Sequence, residues 1–227
     1  GRPLADDEVE RLLSRSPERW RDIWYALLVT CMRKDELACL LFSDIDWNNR
    51  EIIVRGHQAK NHRERRIPIE DGLWDCLQRQ KQLAAQRQPC KGTTAAITAR
   101  VQERFTRDHV FTTHLNTPLT HRDVLYSAFM RCCARAEIQT KTYDADGRLL
   151  EHVDLHSLRR TFATNLIVNG ADPKSVQELL GHKTLTMTMK IYAKVKSSPK
   201  RQALGKLSYG QGATPPAHVL PLASGVA

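Results

Sequence analysis

The chain has 227 residues, which is enough to bury one sizeable core or to form a compact domain with appendages. It carries 35 lysines and arginines against 25 acidic residues, so its formal net charge is +10 and its isoelectric point about 9.5. This excess indicates a polyanionic partner, nucleic acid first; the alternative is a soluble protein that is merely basic. Because we find neither a signal peptide nor a run of about eighteen apolar residues, we expect a soluble cytoplasmic protein without a membrane span.

The cysteines and histidines do not form a recognisable metal or disulfide pattern. Six cysteines are present, without a CxxC pair or disulfide-like spacing, and several fall on apolar helical faces, where cysteine acts as a small hydrophobe. Two of the nine histidines, His57 and His62, lie in a charged loop without cysteine partners. We therefore expect a reduced compartment and no bound metal.

The first half of the chain predicts helices and one hairpin. Apolar residues recur at helical spacing in four segments, which are residues 4–13, 19–31, 34–41 and 72–86. Two β-rich runs, residues 51–55 and 65–69, flank a charged loop and predict a β-hairpin. Residues 89–99 are typical of a polar linker, and residues 107–113 of a short buried segment.

The second half predicts more helices and another hairpin. A helix over residues 122–136 with Thr120 as its cap precedes a hairpin whose turn is at Asp146-Gly147. Three short helices follow, over residues 155–168, 173–180 and 185–195. A small basic helix at 199–208 and a Gly/Pro/Ala-rich tail complete the chain. The expected fold class is therefore mainly α with a small antiparallel β-sheet (α+β).

The three consecutive helices bring together polar residues that lie outside their apolar stripes. His156 and Arg159 are three positions apart and share a helix face in the first turn, where free backbone N–H groups favour an anion. His182 follows the helix-ending Gly181, and Tyr192 lies near the last turn of the third helix. We expect these four side chains to point to one site.

Two runs of residues resemble the conserved boxes of the tyrosine recombinases, also called phage-type integrases. The later run is HSLRRTFAT, then LGH, then a tyrosine ten residues further along. The earlier run is TCMRKDEL, residues 30–37, in which Cys31 stands where the family usually has glycine. The ordered set is highly specific, and the resemblance extends over residues 4–206. It implies the catalytic-domain fold of that family.

The resemblance implies a catalytic role for several of these residues. Tyr192 would be the nucleophile that attacks phosphorus. Arg33 and Arg159 would neutralise the five-coordinate phosphorus, because a guanidinium is always charged and binds two oxygens at once. His156 and His182 would accept or hydrogen-bond the tyrosine proton. Glu36 would pack or pair beneath Arg33.

The hairpin loop would supply a catalytic lysine that protonates the leaving 5′-oxygen. In the family this lysine lies eight residues before a proline, and counting back from Pro68 selects Lys60. Counting forward from the first catalytic arginine ends nearer His57, so this choice requires a loop insertion of about three residues. The alternative is that Lys60 only contacts the DNA backbone. Further DNA contacts are expected from Arg63, Arg65, Arg160 and Lys183.

The resemblance also implies a reaction and its partners. Cleavage would give a 3′-phosphotyrosine link, which a 5′-hydroxyl then reseals without ATP, metal or cofactor. The partner would be double-stranded DNA, bound by a homotetramer that is a monomer or weak oligomer when free, in a cytoplasmic protein that associates with the nucleoid. A role in a mobile element is expected.

The implied domain organisation is a catalytic domain at residues 1–208 and a flexible tail at 209–227, for which the two alternatives are docking on a neighbouring subunit and a disordered segment. The N-terminal DNA-clamping domain usual in the family would lie outside this chain. One alternative is a type IB topoisomerase, against which the LGH-to-tyrosine spacing argues. The other is a DNA-binding regulator without activity, against which six chemically competent positions argue.

Overall fold

The computed structural model describes residues 1–56, 64–91, 94–119 and 124–195. Lys60, Arg63, Thr120, the predicted helix at 199–208 and the tail lie outside the described residues. The helices that it describes are α1 Asp6–Arg15, α2 Glu18–Thr30, α3 Lys34–Ala38, α4 Asp71–Ala85, α5 Ala95–Arg104, α6 Val124–Arg135, α7 Leu155–Val168, α8 Pro173–Leu180 and α9 Leu185–Val195. The strands are β1 Ile45–Asp46, β2 Glu51–Val54, β3 Arg65–Pro68, β4 Lys141–Tyr143 and β5 Leu149–His152.

Helix α2 forms the centre of the main core. Its apolar residues recur at three- and four-residue spacing, and Ile23 and Trp24 have no solvent exposure. Trp24 stacks on Trp20 and meets Phe129 of α6 edge-on, with ring centroids 5.4 Å apart in the second pair. Helix α2 packs against α1, α4 and α7. It therefore connects the first half of the chain to the helices that carry the predicted site.

The small sheet has one strand more than predicted. Strands β2 and β3 pair in antiparallel register, from Glu51 opposite Pro68 to Val54 opposite Arg65. Strand β1, which the sequence pattern did not predict as a strand, adds to the outer edge of β2. The second hairpin, β4–β5, is confirmed, with Gly147 at a φ of 75° in its turn.

The predicted linker at residues 89–99 is partly wrong, because helix α5 begins at Ala95. The Thr94 hydroxyl accepts a hydrogen bond from the Ile97 backbone N–H and caps the helix. Only Val101 of this helix is buried, so its apolar pattern was too weak to predict. The next segment was predicted correctly, since Val110 and Phe111 are buried.

Helices α7, α8 and α9 pack on one another and enclose a small second hydrophobic cluster. Its buried members come from α7, α8 and the end of α2, and are Cys31, Ala163, Val176 and Leu180. Asp154 and Asp172 cap α7 and α8, and Gly181 ends α8 at a φ of 57°. The predicted fold class is confirmed. No helix in the described ranges is long and apolar enough to cross a membrane.

Candidate active site

The first part of the site is a buried carboxylate held between two arginines. Arg33 precedes α3, and its Nη1 donates to Glu36 Oε1 at 2.7 Å. Arg65 comes from β3 and donates to both oxygens of the same carboxylate, at 3.1 and 2.6 Å. The Arg33 backbone N–H also donates to Glu36, at 2.8 Å. Through these bonds Glu36 holds together the turn between α2 and α3 and the start of strand β3.

Glu36 remains charged although only 1% of its side chain is exposed. Burial by itself raises the pKa of this carboxyl, but the hydrogen bonds and charges of Arg65 and Arg33 lower it to about 2. Arg33 keeps 25% of its side chain exposed, compared with 10% for Arg65. Arg33 is therefore the member of this group that can meet an anion from solvent.

The second part of the site is Arg159, which is only 5% exposed on α7. Its guanidinium donates to the carbonyl oxygens of Cys31 and Leu180, at the ends of α2 and α8. Cys31 has a left-handed backbone, with φ 49° and ψ 24°, a conformation that explains why glycine is common there in the family. Arg159 therefore joins three helices, with its carbonyl partners setting the direction of its fork.

The two histidines lie close to these arginines. His156 is in the first turn of α7, where partial desolvation and the charges of Arg160 and Arg159 lower its pKa. Half-burial and the charges of Arg159, Arg33 and His156 lower the pKa of His182 to about 4. Both imidazoles are therefore neutral at pH 7. The structure thus brings together Arg33, His156, Arg159 and His182, as predicted.

Tyr192 is largely buried and bonds to the turn that precedes α8. Its side chain is 8% exposed, and its hydroxyl donates to the carbonyl of Ala171 in the turn between α7 and α8. Burial and the negative charge of Asp172 raise its phenol pKa. This hydrogen bond joins α9 to the turn between α7 and α8. That Tyr192 points to the same site as His156, Arg159 and His182 stays a prediction.

The residues predicted to contact DNA differ in their surroundings. Arg65 is turned inward onto Glu36, and its aliphatic part packs against Gly181, where an added Cβ would lie 3.2 Å from Arg65 Cδ. Arg160 pairs with Asp154 at 3.1 Å and keeps 31% of its side chain exposed. Lys183 is exposed beside a cleft of about 250 Å³ that also contains His182.

Sequence reasoning missed two polar residues of the site. One is Arg65, whose side chain turns inward and bonds to Glu36. Its position at the start of β3 indicated only that it belongs to the hairpin. The other is Thr188, which is completely buried and contacts His182. Its position four residues before Tyr192 was the available signal, because the two share a helix face. In the parts of the chain that the structure describes, no cluster of histidine, cysteine or acidic side chains converges as metal ligands would.

Residues 2–198 match the family model described as the phage integrase family. The chain belongs to that family. Among curated relatives, tyrosine recombinase XerC of Listeria innocua serovar 6a is 32% identical over 181 residues, which are 78% of this chain and 50% of that protein. The chain thus spans about half the length of the curated relatives that it matches.

Solved structures of similar fold include integrases from mobile elements. The Tn1549 transposon integrase, in complex with transposon right end DNA, has a TM-score of 0.65 at 24% identity, with 90% of this chain and 65% of that chain covered. The catalytic domain of bacteriophage HP1 integrase has a TM-score of 0.57 at 22% identity, with 94% and 99% covered. At these identities the two structures support the fold.

Proposed function

We propose that this chain catalyses site-specific DNA recombination, in which strands are cut and rejoined through a 3′-phosphotyrosine intermediate. The observation that carries the proposal is the convergence of Arg33, Arg159, His156 and His182 at the start of α7. Two fixed guanidiniums beside two neutral imidazoles suit a phosphodiester that gains negative charge during attack. Membership in the phage integrase family, which includes relatives named tyrosine recombinase, supports the same reaction.

Each residue has one task in the proposed reaction. The oxygen of Tyr192 forms a bond to phosphorus while the bond from phosphorus to the 5′-oxygen breaks. His156 accepts the phenol proton, and Lys60 delivers a proton to the leaving 5′-oxygen. Arg33 and Arg159 bind the non-bridging oxygens, with Glu36 holding Arg33 in place. The reverse attack by a 5′-hydroxyl from another strand releases the tyrosine, so no ATP is consumed.

The test uses a nicked suicide substrate, in which the cleaved end diffuses away and traps the covalent product. The chain should form an adduct with DNA that survives denaturation, and Tyr192→Phe should not form it. Tyr143→Phe is the matched control, because Tyr143 is 55% exposed on the β4–β5 hairpin and should not affect the yield. An adduct of normal yield from Tyr192→Phe would show that another residue is the nucleophile.

We propose double-stranded DNA as the partner, which places the protein at the nucleoid in the cytoplasm. The net charge of +10 supports this, as does the DNA in the Tn1549 integrase structure. Arg63, Arg160 and Lys183 remain the proposed backbone contacts, whereas Arg65 is better explained by its bonds to Glu36. For about six phosphate contacts, affinity should fall on the order of a thousandfold between 50 and 200 mM salt. A flat salt response would contradict backbone binding.

We further propose that residues 1–208 act as the catalytic domain and that the tail, 209–227, docks on a neighbouring subunit of a tetramer on DNA. The tail contains the apolar residues Val219, Leu220, Leu222 and Val226, which support docking because burial of apolar side chains at an interface is favourable. Deleting residues 209–227 should preserve cleavage at a single site but prevent tetramer assembly. Normal assembly and recombination by the truncated protein would disprove docking.

Two alternatives predict different results with the same protein. A type IB topoisomerase would relax supercoiled plasmid as a monomer, without any cognate site on the DNA. A DNA-binding regulator without activity would bind DNA but give no covalent adduct. The relatives named tyrosine recombinase favour recombination over both. Pairing a plasmid relaxation assay with the suicide substrate therefore separates the three functions. A role in a mobile element would be tested by short repeats flanking the gene.

A further inference from the structure

Thr188 is a buried polar residue on a helix whose neighbouring positions are exposed. Its side chain has 0% exposure, whereas Met187 and Met189 on either side are 48% and 44% exposed. The Thr188 Oγ1 atom lies 3.0 Å from Nδ1 of His182, within hydrogen-bonding distance. This hydroxyl therefore links helix α9 to His182, four residues before Tyr192 on the same face.

The direction of this hydrogen bond follows from a comparison with other buried threonines. Thr30 and Thr161 also lie in helices, and each donates its hydroxyl proton to the carbonyl four residues earlier, at 2.6 and 2.9 Å. Among the described residues, Thr188 has no such carbonyl acceptor, and His182 is its hydrogen-bond partner. A buried hydroxyl proton without an acceptor costs about 1–3 kcal/mol. The hydroxyl of Thr188 therefore donates, and His182 Nδ1 accepts.

A neutral imidazole carries its single proton on one nitrogen, and which nitrogen it is depends on the bond made by the other. We propose that Thr188 is a positioning residue that holds His182 as the Nε2–H tautomer, so that His182 donates a hydrogen bond to a phosphate oxygen of bound DNA. The inference rests on the proposed function, because it assigns the role of a residue in that reaction.

The proposal divides the work between the two histidines. With the proton on Nε2, the nitrogen of His182 that is left for substrate is a donor and cannot accept the phenol proton. His156 is then the remaining imidazole that can act as base. The charges beside His182, from Arg159 and Arg33, oppose a second proton on its ring, which agrees with a neutral donor. The same bond also connects the helix of Tyr192 to the phosphate-binding residues.

The tautomer can be measured directly, without any activity. In protein labelled with ¹³C and ¹⁵N at histidine, two-bond ¹H–¹⁵N correlations at pH 7 distinguish the Nε2–H from the Nδ1–H form. We expect the His182 ring to be Nε2–H in the wild type and a mixture of tautomers in Thr188→Val. Thr188→Ser, which keeps the hydroxyl, should retain the wild-type tautomer. An Nδ1–H ring in the wild type, or an unchanged ring in Thr188→Val, would overturn the proposal.

Cleavage of the suicide substrate provides the second measurement. Thr188→Val should reduce the cleavage rate about 10- to 100-fold at unchanged DNA affinity, and Thr188→Ser should restore most of it. Thr186→Val is the control, since Thr186 is exposed on the same helix, and its rate should equal that of the wild type. Equal losses in the valine and serine variants would indicate a packing defect and contradict the proposal. If the wild type gives no adduct, the proposed function fails while the tautomer result still stands.

Discussion

The two halves of the candidate site differ in how completely they are assembled. The arginine half consists of Arg33, Glu36, Arg65 and Arg159, whose side chains are fixed by hydrogen bonds among five elements, α2, α3, β3, α7 and α8. The tyrosine half is helix α9, whose Tyr192 hydroxyl is bonded to the Ala171 carbonyl. One half is therefore already organised for the phosphate of the proposed reaction, whereas in the other the hydroxyl of the proposed nucleophile donates to a backbone carbonyl.

In the proposed reaction, this difference between the two halves assigns the activation step to the tyrosine half. A backbone carbonyl accepts a hydrogen bond but cannot take up the phenol proton. Burial and the charge of Asp172 raise the pKa of Tyr192, which favours the neutral phenol over the nucleophilic phenolate. Because the arginines are already in place, they do not have to reorganise during the reaction. In the proposed reaction, Tyr192 would therefore have to leave Ala171 before it attacks, and each prediction below tests one side of this contrast.

The largest effect is expected from Arg159→Ala. The change removes an oriented charge at the phosphate and leaves the carbonyls of Cys31 and Leu180 without their donor. Cleavage of the suicide substrate should fall about 10²- to 10³-fold, the usual loss for one oriented donor at a transition state. The rate is measured by single-turnover kinetics at saturating DNA.

Arg160→Ala is the matched control for this prediction. Arg160 is the next residue of α7, carries the same charge, and pairs with Asp154 while remaining 31% exposed. A partly exposed ion pair of this kind contributes about 0–1 kcal/mol, so cleavage at saturating DNA should change less than about threefold. Equal losses in the two variants would show that general positive charge, and not orientation by the arginine half, is what matters.

The next largest effect is expected from Glu36→Gln. The substitution keeps the shape of the side chain but leaves Arg33 and Arg65 facing each other without the carboxylate between them. Removal of one partner from a buried ionic group costs about 3–5 kcal/mol, so the free energy of unfolding should fall by about 3 kcal/mol in urea titrations. Asp35→Asn is the control, because its side chain is 83% exposed. A loss below about 1 kcal/mol would mean that the arginine half is not held by Glu36.

The part of the site that the sequence could predict is the group of Arg33, His156, Arg159 and His182. Arg33 and His156-to-Arg159 lie at helix starts, and their positions relative to caps such as Asp154 depend on local chain geometry. Helix ends at Gly170 and Gly181 could be read in the same way, because both have left-handed backbones. Local rules thus placed His156, Arg159 and His182 near one another, and the resemblance to the family added Arg33.

Two features depend on contacts between distant segments and could not be read locally. Arg65 and Glu36 are 29 residues apart, and nothing in the pattern of β3 shows that Arg65 turns inward. The bond from Tyr192 to Ala171 spans 21 residues and depends on how α9 packs on the α7–α8 turn. Strand β1 and helix α5 were missed for a different reason, since a two-residue strand and a mostly exposed helix carry little apolar periodicity.

A smaller effect is expected from acidification between pH 7 and pH 5. The pKa of His182 is about 4 when folded, against an ordinary value of 6.5, so the unfolded chain binds more protons in this interval. Stability should therefore fall as the pH decreases, by about 1–2 kcal/mol after allowance for partial exposure. Lowered pKa values at His156 and His182 act in the same direction, whereas the Glu36 contribution is lost only below about pH 4.5.

Chemical denaturation at a series of pH values measures this dependence. His182→Gln should flatten the curve between pH 7 and pH 5, because it removes the group with the larger shift. Saturation with a short DNA duplex should also flatten it, since the phosphate charge favours the protonated imidazole. If stability rises on acidification instead, the histidines are not held beside the arginine half in the way that the structure indicates.

The smallest effect is expected for the stability of Tyr192→Phe. The substitution keeps the ring buried and removes only the hydroxyl that donates to Ala171. One neutral hydrogen bond contributes about 0.5–1.5 kcal/mol, so the free energy of unfolding should fall by about 1 kcal/mol or less. That is well below the loss expected for Glu36→Gln, although Tyr192 is the proposed nucleophile. A loss near 3 kcal/mol would mean that the tyrosine half is held as firmly as the arginine half, and release of the hydroxyl from Ala171 would then be too costly to precede attack.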